Sequence, residues 1–433
     1  MSVALLSLAL LLAAPSQDRP AHLYAVIVGN NQGLTAEVRP LRYADDDAVH
    51  YAELVEPLAA QVHLLTVMDR ETQLQHPALA LRAIPPTHAA LQGALAEIDR
   101  AIGLDMQQGL SSELFFVFVG HGGVAPDGEG YVALLDGKLT RTELFQEVVR
   151  PSRATRNHLI VDACDSYFLV SSRGSPAADD RGPDRSAAIR SYLSNEELAA
   201  FPNTGALVST SGDRESHEWS VYRGGVFSHA VLSAMAGAAD VNGDGAIDYS
   251  EVGAFLQAMS ARVTDPRGRL DVYVRPPAQA LGAPLWRLGG YRRFLRLGAR
   301  LEGRYFVEGP DGSRFADFNK AAGAPLVLGL PQAAGSYRLI GGGREADVRE
   351  GPLVADASRL VWEPSSVGER GDLASALSHG LFQVPFGPAF YAGFVAADKE
   401  LIPAPSDVPA FLPEILGKPP TLPFKDPFGG ASP

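Results

Sequence analysis

The chain has 433 residues, 46% hydrophobic and 20% charged, a globular composition long enough for two or three domains. Its net charge of -13 excludes general nucleic-acid binding, which needs a basic face. A single Cys excludes an internal disulfide and leaves one thiol to be explained.

Val3 to Ala14 is apolar apart from Ser7, the length of a signal h-region and too short to span a bilayer. Small residues follow at Ala13, Ala14 and Ser16, although no Lys or Arg precedes Arg19. Residues 1–16 are expected to be a secretory signal, and the mature chain periplasmic or secreted, with no membrane span once the signal is removed. Leu23 to Val28 reads as a buried strand stopped by Gly29-Asn30-Asn31. Tyr43 to Leu58 is helical in pattern and opens on Asp45-Asp46-Asp47, which suits a helix N-terminus. Strands are predicted over Gln61 to Val67, Leu114 to Val119, His158 to Val161 and Ala206 to Ser209. Helices are predicted over Thr87 to Ile102, Thr140 to Val149 and Val226 to Ala239. This alternation implies a mostly parallel sheet with helices on both faces, and its ligand crevice lies beyond the strand C-terminal ends. Ser171 to Arg190, rich in Ser, Arg, Asp, Gly and Pro, reads as an exposed linker. After residue 288 short strands between Gly and Pro turns (Arg304 to Val307, Leu326 to Leu328, Ser336 to Ile340, Leu360 to Trp362) predict a small all-β sandwich over 288–365. Residues 366–433 are rich in Pro and Gly and are expected as a tail of loops.

Two of the most apolar strands end in reactive residue types. One continues into Gly120-His121-Gly122-Gly123 and the other into Asp162-Ala163-Cys164-Asp165. If the two are parallel neighbours, His121 and Cys164 leave the same sheet edge. An imidazole there can take the thiol proton and make a nucleophile. The N–H groups of Gly122 and Cys164 could then form an oxyanion hole. A lone thiol outside the cytoplasm is exposed to oxidation, which favours a catalytic role over core filler.

Asp240-Val241-Asn242-Gly243-Asp244-Gly245-Ala246-Ile247-Asp248-Tyr249-Ser250-Glu251 fits the twelve-residue EF-hand loop. Asp240, Asn242 and Asp244 offer oxygens at alternate positions, Ala246 its carbonyl, Asp248 a water-mediated contact, and Glu251 both carboxylate oxygens. Ca2+ is the expected ion. A lone loop of this kind favours a stabilising role over a sensing one.

The segments YAVIVGNN, LRYADDDA, FFVFVGHGG, LIVDACDS and GGVFSHAVLSAM, in this order, resemble the caspase-type cysteine peptidases, including metacaspases and bacterial caspase-like enzymes, over roughly residues 22–285. The resemblance implies a caspase–hemoglobinase-like fold and an endopeptidase working through a Cys164–His121 dyad. In metacaspase-like members acidic residues line the primary pocket, and the matching positions are Asp47 and Asp162. Two carboxylates there favour a protein or peptide substrate with Arg or Lys at the cleavage site. In Glu218-Trp219-Ser220, Ser stands where caspases carry an Arg that accepts Asp. His217, Glu218 and Trp219 are expected to shape the cleft. The sequence departs from the family at Asp165 and Tyr167, which supports the alternative of a silent caspase-fold scaffold stabilised by calcium. Arg173, Arg181, Arg185 and Arg190 are candidate self-cleavage sites. A monomer is expected.

Overall fold

The computed structural model describes residues 21–163, 198–209, 218–263, 270, 272–331, 335–351, 353–365 and 380–401. The predicted apolar runs become β1 (His22–Asn30), β2 (Ala59–Thr66), β3 (Ser112–Gly120), β4 (Arg156–Asp162) and β5 (Thr204–Ser209), joined by β6 (Val272–Arg275). Their order in one sheet is β6-β5-β4-β3-β1-β2. Every pairing is parallel except that of β6 with β5, an antiparallel edge.

The strands are apolar on both faces because both are covered. Pleat alternation sends Ala25, Ile27, Phe115 and Val117 into one core and Val26, Val28, Phe116 and Phe118 into the other. Of the helices α1 (Ala44–Val55), α2 (His88–Gln107), α3 (Val226–Ser233) and α4 (Tyr249–Ser260), α2 covers the second face and the other three belong to the first. Thr87 caps α2 by accepting the N–H of Ala90. The expected mixed α/β architecture, with its mostly parallel sheet, is what the chain forms.

The helix predicted over Val226 to Ala239 is interrupted. Gly237 has φ +123, and a Cβ there would collide with the carbonyl of Val327. The break lets the β-rich part close onto the end of the helix. That part has one sheet of Arg293–Leu297, Leu326–Leu330 and Val354–Asp356, and another of Gly303–Glu308, Arg314–Lys320, Tyr337–Gly341, Arg344–Val348 and Glu363–Pro364. Leu360 to Trp362, predicted as a strand, is instead a connection whose Trp362 indole donates to the carbonyl of Ala357 at 3.0 Å. Arg293–Leu297, Arg314–Lys320 and Arg344–Val348 are strands that the sequence reading missed, because charged ends mask their alternation.

The apolar core runs without interruption from the main sheet through α3 into the β-rich sheets, where Leu295, Val307, Phe318 and Leu339 belong to it. His229 on α3 meets Asp317 at 2.9 Å, both buried. Within the stretch expected as loops, α5 (Pro388–Leu401) packs on α4, with Tyr391 and Ser250 hydroxyls 2.5 Å apart. Among the described residues no helix is long and apolar enough to cross a membrane.

Candidate active site

β3 and β4 are parallel neighbours with Val119 opposite Asp162. His121 therefore follows β3 directly at the C-terminal edge of the sheet, and in the sequence Cys164 comes two residues after the end of β4. Cys164 itself lies outside the described residues, as do Asp165, Tyr167, the linker 171–190 and His217. His121 is half-buried. Burial pulls its imidazole below the ordinary histidine range, while hydrogen bonds to the backbone of Arg39 and Asn31 work the other way. Its Nε2 is buried and has no hydrogen-bond partner among the described residues. Unpartnered among the described residues, Nε2 is the ring nitrogen placed to accept a proton.

The N–H of Ala133 donates to the carbonyl of His121 at 2.9 Å, and Gly122 stands opposite Val132 in the short ladder that follows. In an antiparallel pair this register makes Gly122–Val132 a non-hydrogen-bonded pair. The ladder consequently does not consume the N–H of Gly122.

Beside the strand ends lies a pocket of about 450 Å³ lined by Asp47, Gly120, Asp162, Ser209, Glu218 and Gly225, among others. All three residues of the acidic triplet are buried, yet only Asp47 lines it. Asp45 is used internally, accepting from the Asn31 amide at 2.6 Å and the Asp69 N–H at 2.8 Å, and Asp46 pairs with Arg223 at 3.4 Å. Asp47 accepts the Gly225 N–H at 2.7 Å. Asp162 accepts both the N–H and the hydroxyl of Ser228, at 3.1 and 2.7 Å. Glu218 accepts the backbone N–H groups of Arg42 and Tyr43, each at 2.8 Å. Burial pushes all three carboxyls above the usual range, and repulsion by Asp162 raises Asp47 and Glu218 further.

Trp219 is 7% exposed, packs edge-to-face on Tyr222, and is not among the pocket-lining residues. Its place is in the short ladder Glu218–Trp219 with Gly224–Gly225, which delivers Glu218. Sequence reasoning assigned no role to Gly224, Gly225 or Ser228. A Cβ at Gly225 would come within 2.7 Å of the Asp162 carboxylate, so glycine is what lets the two acids approach this strand. The GGVFSHA run carried that information.

The loop 240–251 lies between α3 and α4. Gly243 and Gly245 take φ +74 and +75, the left-handed turns that curl it. Asp240 and Glu251 are buried, at 6% and 1% exposure. Burial, reinforced by neighbouring carboxylates, pushes Asp240 up to about 6 and Glu251 up to about 8. Asp240 accepts the N–H groups of Gly243 and Gly245, and Asp244 that of Ala246. Asp248 caps α4 by accepting the N–H of Glu251 at 2.8 Å, which suits it to a water-mediated role rather than direct ligation. Ala246–Asp248 pairs antiparallel with Pro284–Arg287, holding Ile247 in the core beside Trp286. An all-oxygen donor set with two buried carboxyls fits a hard cation such as calcium.

No protein-family model and no curated protein matches the chain. Among solved structures, a protein from Geobacter sulfurreducens is similar at 17% identity over 61% of this chain and 98% of that one, with a TM-score of 0.37. Caspase-1 from Spodoptera frugiperda is similar at 13% identity over 53% of this chain and 75% of that one, at 0.28. The Arg specific cysteine proteinase gingipain R is similar at 10% identity over 74% of this chain and 64% of that one, also at 0.28. All three TM-scores are below 0.5, so none of these proteins lends its chemistry to this chain.

Proposed function

We propose that the chain is a caspase-like cysteine endopeptidase that cleaves after Arg or Lys and carries a calcium ion in the 240–251 loop. The observation that carries this reading is the acidic pocket of Asp47, Asp162 and Glu218 beside the sheet edge from which His121 emerges. One buried and two half-buried carboxyls drawn together at a cost in desolvation are best repaid by a cation, and a guanidinium or ammonium from a substrate supplies one.

In this mechanism His121 Nε2 takes the Cys164 thiol proton, and the thiolate adds to the peptide carbonyl. The oxyanion is met by the N–H groups of Gly122 and Cys164. The imidazolium returns its proton to the departing amine, leaving a thioester on Cys164. Water, deprotonated by His121, then hydrolyses the thioester. A histidine held below its ordinary range is neutral at neutral pH, as a base must be.

The test is turnover of fluorogenic peptides ending in Arg, Lys or Asp. Arg and Lys peptides are expected to be cleaved and Asp peptides not. Equal turnover of all three would sink the pocket assignment. Asp47→Asn keeps an oxygen for the Gly225 N–H but removes a charge, and is expected to lower kcat/KM for Arg peptides by roughly 100-fold, mostly through KM.

The pH dependence follows from the raised carboxyls. A carboxyl shifted upward ionises late, so kcat/KM for basic peptides is expected to climb with pH above the ordinary carboxylate range. Substrate-free stability has the opposite sign. A raised folded pKa contributes stability that is present below the unfolded value and lost as pH rises through the folded one. Asp47→Asn should therefore raise the melting temperature of the substrate-free protein at neutral pH. A lowered melting temperature there would count against burial as the cause of the shift.

A further inference from the structure

The geometry points to a second metal site, away from the calcium loop, in which His50, His76 and Asp311 bind a divalent transition-metal ion of zinc type. The three residues come from separate parts of the chain. His50 is on α1, His76 lies between the short helices Arg70–Gln75 and Pro77–Ala80, and Asp311 is in the turn between Gly303–Glu308 and Arg314–Lys320. Their ligand atoms all lie within 4.8 Å of one another. His76 Nε2 is 3.7 Å from an Asp311 carboxylate oxygen. Two donors held tetrahedrally by zinc at ordinary bond lengths sit about 3.3 Å apart, so only small side-chain shifts are needed. The two imidazoles meet edge to face, centroids 6.3 Å apart at 82°.

The surroundings resemble those of a ligand set. His76 Nδ1 is 2.8 Å from a carboxylate oxygen of Glu53, one helical turn beyond His50 on α1. That bond aims Nε2 at the site and makes the ring a better donor, the role that an outer carboxylate plays behind a ligating histidine. His76 is buried, while the Asp311 side chain is 19% exposed, at the mouth of a cleft of about 440 Å³. There is room for water as a fourth ligand. Arg314 also lines the cleft, but its guanidinium lies over the Phe306 ring at 3.7 Å and pairs with Asp317 at 3.7 Å. Two neutral imidazoles with the Asp311 and Glu53 carboxylates balance a dication. The nitrogen donors favour zinc over calcium or magnesium. A bound ion would tie the β-rich part to α1, the helix that carries Asp47.

The competing state is a metal-free imidazolium of His76 shared by Glu53 and Asp311. The two are separated with the full chain carrying Cys164→Ala, so that no thiolate contributes, in saturating calcium. Cobalt(II) is titrated and its visible absorption followed, and zinc is then added. One equivalent of cobalt with a tetrahedral spectrum, displaced by zinc, is expected. Asp311→Asn keeps an oxygen for the Ser313 N–H and hydroxyl, which Asp311 now accepts at 3.1 and 2.8 Å, so the turn survives. It should weaken cobalt binding tenfold or more. Glu53→Gln should weaken it roughly 10- to 100-fold, and His76→Gln should abolish the spectrum. No cobalt spectrum, or the same affinity in Asp311→Asn as in its parent, would overturn the site and leave the ion pair.

Discussion

Cys164→Ala is expected to abolish turnover of Arg and Lys peptides, and His121→Ala to lower kcat by roughly 10³-fold with a much smaller change in KM. The reason is positional. β3 and β4 run side by side with Val119 opposite Asp162, so equal steps beyond that pair bring the chain to His121 and to Cys164. Neither residue supplies charge to the pocket, which keeps Asp47, Asp162 and Glu218 in both variants. Cationic substrates should therefore still bind, and the loss should appear in the chemical step. The measurement is steady-state kinetics alongside binding of an uncleaved Arg peptide to the Cys164→Ala protein. Retained turnover in Cys164→Ala would mean another nucleophile. A His121→Ala defect confined to KM would make His121 part of the pocket and not the base.

Much of this site is legible in the sequence, because the features that place it are local. Unbroken apolar runs such as LFFVFV announce strands buried on both faces, and a reactive residue just past such a run must lie at the sheet edge. Asp162 is named by being two residues before the Cys. Asp47 is harder, since a run of three acids at a helix start reads equally well as complementing the helix dipole. Only the fold separates Asp47, turned to Gly225, from Asp45, turned to Asn31 and Asp69. What escapes the sequence is non-local. Ser228 clamps Asp162 across 66 residues, and His76 and Asp311 are 235 positions apart. No periodicity encodes such pairings. The continuous core between α/β and β-rich parts is hidden for the same reason. A glycine with φ +123 inside an apolar helix reads as a tolerated flaw until Val327 is seen against it.

Removing calcium is expected to lower the melting temperature by several degrees or more, and Glu251→Gln to make the protein insensitive to the ion. An ion held at about 1,000 times its Kd adds about 4 kcal/mol to stability. The structure indicates where that stabilisation would act. Asp240 and Glu251 are buried acids with neighbouring carboxylates, and each must be charged to ligate. Without a cation their burial opposes folding, and with one it favours it. The loop joins α3, whose Ser228 holds Asp162, to α4, which supports β6 at the sheet edge and receives α5. Calcium bound there would therefore secure the rear of the substrate pocket without touching His121. A stabilising ion raises the melting temperature and leaves kcat within a fewfold of its value in chelator, provided the assay is run well below the calcium-free melting point. Loss of activity in a chelated protein that remains folded would instead make the loop a switch. In that case the path from Glu251 through α3 to Ser228 is where the signal would run, and Ser228→Ala should mimic calcium removal in KM while leaving the melting response to calcium intact.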